Sequence, residues 1–234
     1  MSILDVVKGA ATVLGMEVPT LVYGATGREM VEMQELANVM ASEIADAHDW
    51  QKLLILKTLT GDGVSDAFDM PTDFRRMQKT SSLWSSRWQW ATEHLTSPDQ
   101  WLELQVTPIA TVNGYWIIFG DQFHQWPVMA STETIKFFYM SNQLVAASDT
   151  SKKTMFTEDA DSFRLSEELL KKAIIARWKQ NKGQAYEQDL DDYQDLLLRR
   201  IDKDAGSKPV VSGQPPVSWR GRGVAWPGTV TGAA

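Results

Sequence analysis

The side chains able to carry acid–base or metal chemistry are few in this 234-residue chain, and they are scattered. Histidine occurs three times, as His48, His94 and His124, and no two stand at a spacing that would hold a metal ion together. His48 followed by Asp49 has the composition of a general base beside its orienting carboxylate. The pair also closes a helical pattern, where a histidine meets the helix dipole favourably, and that structural role is the preferred reading. Asp62, Asp66 and Asp69 offer oxygen ligands, but their spacing departs from a calcium-binding loop, and turn and edge-strand polarity accounts for them. Glu158, Asp159 and Asp161 read as a solvated run. A hydrolase acting on glycans would need two carboxylates brought together by the fold, and nothing in the sequence selects a pair. The stretch "GATG", Gly24 to Gly27, lacks the Lys-Ser/Thr and the preceding strand of a phosphate cradle; it reads as a turn leading into a helix. Cysteine is absent, which removes thiol nucleophiles, disulfides and Cys-ligated zinc, and fits a reducing cytoplasm. No catalytic, cofactor-binding or metal residue is assigned, and the chain is read as a non-enzyme.

Aromatic residues are the more prominent resource. Of ten tryptophans, six lie between Trp84 and Trp126. Trp84, Trp88 and Trp90 are spaced to share one strand face. Exposed, such a face would be a carbohydrate platform; buried, it would be a core or a subunit interface. Burial is preferred, because aromatic rings dominate core and interface energetics. A stripe for single-stranded DNA fails for want of cations, since Arg87 stands alone there. The net charge of −7, from 23 basic and 30 acidic residues, argues against wrapping nucleic acid, although it suits a surface past which DNA slides. No apolar run is long enough to span a bilayer, and "MSILDVVKGAATVLGMEV" has no basic region of a signal peptide, so no membrane partner is expected.

The elements that must position these residues fall into three regimes and a tail: 1–50, helical; 51–145, rich in strands; 146–204, a linker and a helical hairpin; and 205–234, an extended tail. In the first regime Ser2 and Asp5 predict a capped helix stopped by Gly15, and Thr26 with Glu29 predicts a second capping box. Met33, Leu36, Met40, Ile44 and Ala47 mark one buried helix face. In the second, "LLILKTLT", "GDG" and "VSDAFDM" predict a hairpin turning at Asp62-Gly63. "SPDQWLEL" predicts a short helix capped by Ser97, "NGYWIIFGDQFHQWP" a hairpin and "ETIKFFYM" a strand. Within "FDMPTDFRRM", Pro71 pushes Met70 towards an extended backbone and sets a corner, with Asp73 placed near a helix start rather than as a catalytic acid. In the third, Ser166 caps "EELLKKAIIARWKQ", "NKG" breaks it, and Tyr186, Leu190, Tyr193, Leu197 and Ile201 form the seam of a returning helix. The tail, with six of fifteen glycines and four of nine prolines, has no acidic residue and cannot order itself alone, yet Trp219 and Trp226 are anchors of the kind a binding peptide uses.

Taken in order, Trp50, a strand, "F-x-M-P-x-D-F" from Phe68 to Phe74, Trp84, "GYWIIFGD" and "IKFFYM" resemble the head-to-tail adaptor proteins of tailed bacteriophages, of the head-completion or tail-tubular-A type. "SEELLKKAIIARWKQNKGQAYEQDLDDYQDLLLRRI" is similar to that family's closing helical hairpin. The resemblance spans about residues 30 to 203, by pattern and order. It implies an α+β fold: a helical bundle from the N- and C-terminal helices, an inserted antiparallel β-rich subdomain and an extended C-terminal tail. It further implies a structural adaptor of the virion's head–tail interface, assembled in the host cytoplasm, with about twelve copies in a ring. The implied partners are the portal protein, a tail nozzle or tail-tube protein, and genomic DNA passing through the lumen without specific binding. No cofactor is implied. The tail is the candidate for clasping the portal, and from its position and composition Trp219, Arg220, Arg222 and Trp226 are the candidate contacts. The alternatives are a virion-associated cell-wall hydrolase and a carbohydrate-binding protein that exposes Trp84, Trp88 and Trp90.

Overall fold

The computed structural model describes residues 2–78, 81–87, 91–106 and 114–204. Among them are five α-helices, an eight-stranded sheet and a three-stranded sheet, a mixed α+β architecture.

Helix α1 (Ile3–Leu14) begins and ends as its sequence dictates. The Ser2 hydroxyl accepts from the Asp5 amide, the Asp5 carboxylate accepts from the Ser2 amide at 2.9 Å, and Gly15 closes the helix at a φ of 70° that a side chain would strain. Helix α2 (Arg28–Ala47) departs from expectation at both ends. Its cap is Gly27, with no side-chain hydrogen bond, so Thr26 and Glu29 form no capping box. Met33, Leu36, Met40 and Ile44 are buried, but Ala47 is exposed, because the face is continued by Ala37, Ala41 and Ala45 instead. The C-terminal hairpin matches the reading: α4 (Glu167–Asn181) starts at Ser166, whose hydroxyl accepts from the Leu169 amide, and breaks at Lys182-Gly183 before α5 (Glu187–Asp204). Helix α4 packs against α1, α2 and α5. Ile3, Val7, Met33, Met40, Ile44, Leu170, Ile174 and Trp178 share one apolar cluster there. The small sheet, β9 (Val145–Ala146) between β10 (Lys152–Lys153) and β11 (Ser162–Phe163), adds Val145 and Phe163 to it.

The large sheet holds β1 (Leu54–Thr60), β2 (Ala67–Asp69), β3 (Phe74–Met77), β4 (Leu83–Ser85), β5 (Ala91–His94), β6 (Tyr115–Phe119), β7 (Gln122–Trp126) and β8 (Thr134–Ser141). Its order is β1-β8-β4-β5-β6-β7-β2, and β3 also pairs with β8. The β6–β7 hairpin stands as predicted, turning through Gly120 and Asp121 with φ near +60° at both, the geometry of a type I′ turn. The β1–β2 hairpin does not form. The Asp62 carboxylate accepts from the amides of Val64 and Ser65 at 2.8 and 2.7 Å, which bends the chain away. Strand β1 instead pairs with β8 along its whole length, Leu54↔Met140 to Thr60↔Thr134, whereas β2 offers three residues and joins β7. The sheet is also not wholly antiparallel. Strands β5 and β6 run parallel, and the intervening α3 (Pro98–Val106) supplies the crossover that a parallel pair requires. Ser97 caps α3 as expected, accepting from the Asp99 amide at 3.2 Å.

One side of this sheet encloses Leu59, Leu83, Trp116, Phe123, Ile135, Phe137 and Tyr139. Phe123 stacks between Trp116 and Phe137, with ring centroids 5.8 and 5.5 Å apart. Smaller contacts by Leu95, Trp101, Leu104 and Ile117 seat α3 on β6.

Candidate functional site

The three histidines stand on three different elements. His48 follows α2 and meets Trp50 edge-on at 5.2 Å, with Nε2 3.7 Å from Asp204. The Asp49 carboxylate accepts from Arg76. His94 in β5 lies against Trp116, and His124 in β7 stacks on Phe119 at 3.8 Å. Among the described residues no group of His, Asp and Glu is arranged to hold a metal ion. Asp62 is held down at about 2 by the Ser65 hydroxyl and then by the Ser65 and Val64 amides, so it organises its own turn. Asp69 accepts from Gln122 at 2.9 Å, across the β2–β7 edge. Gly24 to Gly27 lead into α2, as read.

The corner at Pro71 is real, but no helix follows it. The Phe74 amide donates to the Pro71 carbonyl, and the chain runs directly into β3. Asp73 instead fastens the corner to the end of β8. Its carboxylate accepts from Tyr139 Oη at 2.7 Å and Ser141 Oγ at 2.9 Å, and its carbonyl accepts from the Asn142 amide. Burial, and next the bond to Asp73, push the Tyr139 hydroxyl's pKa up.

The acidic run at 158–161 is not solvated as a whole. Asp161 is 0% exposed, and its carboxylate accepts from the amides of Thr157 (2.8 Å) and Glu158 (3.0 Å) and from Lys153 Nζ (3.1 Å). Burial opposes its charge, but those donors outweigh burial and hold its pKa below the ordinary value. Asp159 accepts from the amides of Val22 and Tyr23, and the Asp161 carbonyl accepts from Ile3 at 2.7 Å. On α2, Asn38 accepts from the Phe156 amide at 2.8 Å. The segment from Lys153 to Phe163 is thus a strap tying both N-terminal helices to the small sheet. The dense charge of "TEDAD" hid which carboxylate faces inward; a threonine four residues before Asp161 was the available signal of a side-chain-closed turn. Sequence reasoning also passed over Glu133, buried at the base of β8, which accepts from Ser85 Oγ and the Ala130 amide. These carboxylates are engaged in holding loops and corners.

Apolar surface remains on ordered elements. In the outer face of the large sheet Leu56 is 54% exposed, Phe138 43% and Trp84 41%. Trp84 is thus an exception to the expected burial, while Trp50, Trp101, Trp116 and Trp178 follow it. On α5 no residue is fully buried, and Leu198 is 61% exposed. Trp88 and Trp90 lie outside the described residues, as do Trp219, Arg220, Arg222 and Trp226. No helix among the described residues is long and apolar enough to cross a membrane.

The class defined so far is a mixed α+β protein, five helices and a large sheet, whose buried carboxylates fix loops and whose ordered faces carry uncovered apolar side chains. A model of the SU10 adaptor protein family matches residues 1–215. The chain belongs to the SU10 adaptor protein family, in keeping with its resemblance to phage head-to-tail adaptors. No curated protein matches it.

Proposed function

We propose that this chain is a non-catalytic structural adaptor of a tailed-phage virion, forming a ring of about twelve copies between portal and tail through which genomic DNA passes. Family membership over residues 1–215 carries this reading. The packing of α1, α2 and α5 on α4 supports a bundle built from residues 1–50 and 146–204, with the strands of 51–145 as an inserted subdomain. Residues 205–234 dock on the portal through Trp219, Arg220, Arg222 and Trp226, two aromatic anchors flanking two guanidinium groups. Many such clamps around one ring act together, so each can be weak. A tail nozzle or tail-tube protein binds the opposite side, and the net charge of −7 lowers adhesion to DNA in the lumen. The virion is then the site of action, reached after assembly in the host cytoplasm.

The test is a pull-down of the full chain by its phage's portal protein, with and without residues 205–234. Retention of the full chain and loss of the truncated one is the expected result. Trp219→Ala or Trp226→Ala is expected to cost about 2 kcal/mol per clamp, read as faster dissociation. Equal retention of both chains would overturn the docking assignment, and retention of neither would overturn the adaptor reading.

A further inference from the structure

The outer face of the β1–β8 ladder changes character along its length. At its first rung Leu54 lies opposite Met140, and Met140 is buried in the core that the helices share. On the next rung of the same face Leu56 lies opposite Phe138, and both are exposed. On the one after, Lys136 lies between Thr58 of β1 and Trp84 of β4. Apolar surface thus runs out from under the chain's own helices into a groove of about 210 Å³ lined by Leu56, Trp84, Lys136 and Phe138. Lys136 forms no ion pair among the described residues.

Helix α5 carries the converse pattern. Its inward carboxylates are engaged with α4, Asp189 with Lys179 at 2.5 Å and Asp192 with Lys172 at 2.9 Å. Asp191, Asp195, Leu198 and Asp202 recur at four- and three-residue spacings, so they share the outward face. Asp195 reaches only an exposed Arg199 at 3.8 Å, and Asp191 and Asp202 pair with no cation among the described residues. One exposed leucine therefore projects from an acidic stripe.

We propose that these two faces meet between copies of this chain: Leu198 of one copy seats in the groove between Leu56 and Phe138 of the next, with Asp195 and Asp202 against Lys136. This contact rests on the ring reading and gives it a residue-level interface. A ring contact must join two different faces of the chain, and these two are opposite in charge and converse in shape. The segment 205–234 is a poorer occupant, because Lys208, Arg220 and Arg222 without any acidic residue would bring like charge to Lys136.

The chain has no cysteine, so engineered pairs report cleanly. Full-length protein carrying both Phe138→Cys and Leu198→Cys is assembled with portal protein and oxidised. A ladder of disulfide-linked multimers is expected from the double variant and from neither single one. Lys136→Glu and Asp195→Lys are each expected to weaken assembly about tenfold or more, and together to restore most of it. Rings that form with no ladder, and with both charge reversals silent, would overturn this contact and leave the ring reading standing. A wild-type chain that forms no ring on the portal would remove both.

Discussion

Asp161 shows what a buried carboxylate does in this protein. With no exposed surface and three donors within 3.1 Å, it closes the strap on which α1, α2 and the small sheet converge. Asp161→Ala strands two amides, while the Lys153 ammonium keeps Thr157 and Glu158, and is expected to cost about 2–4 kcal/mol in urea unfolding. Its folded-state pKa is depressed, so its contribution is complete above the ordinary carboxylate pKa near ~4 and is lost as pH falls below it. Asp161→Asn should consequently flatten the fall in stability as pH drops below about 4, and an unchanged acid limb would contradict this assignment. Asp73 is a milder case at the Pro71 corner. Tyr139→Phe removes one of its two hydroxyl donors and is expected to cost about 1 kcal/mol, leaving the other to Ser141.

Between elements, the joint at Gly61 is the most sharply defined. A Cβ there would lie 2.5 Å from the Ala130 carbonyl and 2.6 Å from Met129 Cβ, where β1 closes against the segment before β8. Gly61→Ala is expected to destabilise by about 1–3 kcal/mol, measured by thermal unfolding, because backbone rather than a flexible side chain must move. Helix α5 is the opposite extreme. It packs through half-buried Tyr193, Leu196, Leu197 and Ile201, and is zipped to α4 by ion pairs at Lys172, Lys179 and Arg200. Pairs near the surface contribute only about 0–1 kcal/mol each, so in the isolated chain amide exchange should be faster in α5 than in α2 or α4. Protection of α5 equal to theirs would count against this. The helices were largely legible in the sequence, because caps such as Ser2, Ser97 and Ser166 act within four residues of themselves. Hairpin β6–β7 was legible for the same reason. What was not legible depends on distant partners. The Asp62-Gly63 turn looks like a hairpin until β8, more than seventy residues away, pairs with all of β1. The parallel β5–β6 pair and the inward turn of Asp161 likewise depend on elements their local sequence does not contain.

At the scale of the whole molecule, two larger apolar clusters divide the labour among the described residues. One gathers α1, α2, α4 and the small sheet; the other fills one side of the large sheet, and β8 contributes to both through Met140 and Tyr139. Arg75 with Asp46, and Arg76 with Asp49, add ionic ties from β3 to the end of α2. On this body Leu56, Phe138 and Leu198 remain exposed. The candidate portal contacts rest on the tail's position and composition, and Trp219 to Trp226 lie outside the described residues. The most direct measurement is electron microscopy of the purified full-length chain mixed with its phage's portal protein. The account predicts a closed ring of this chain stacked on the portal, open along its axis. A monomer that leaves portal particles bare at every concentration tried would contradict it.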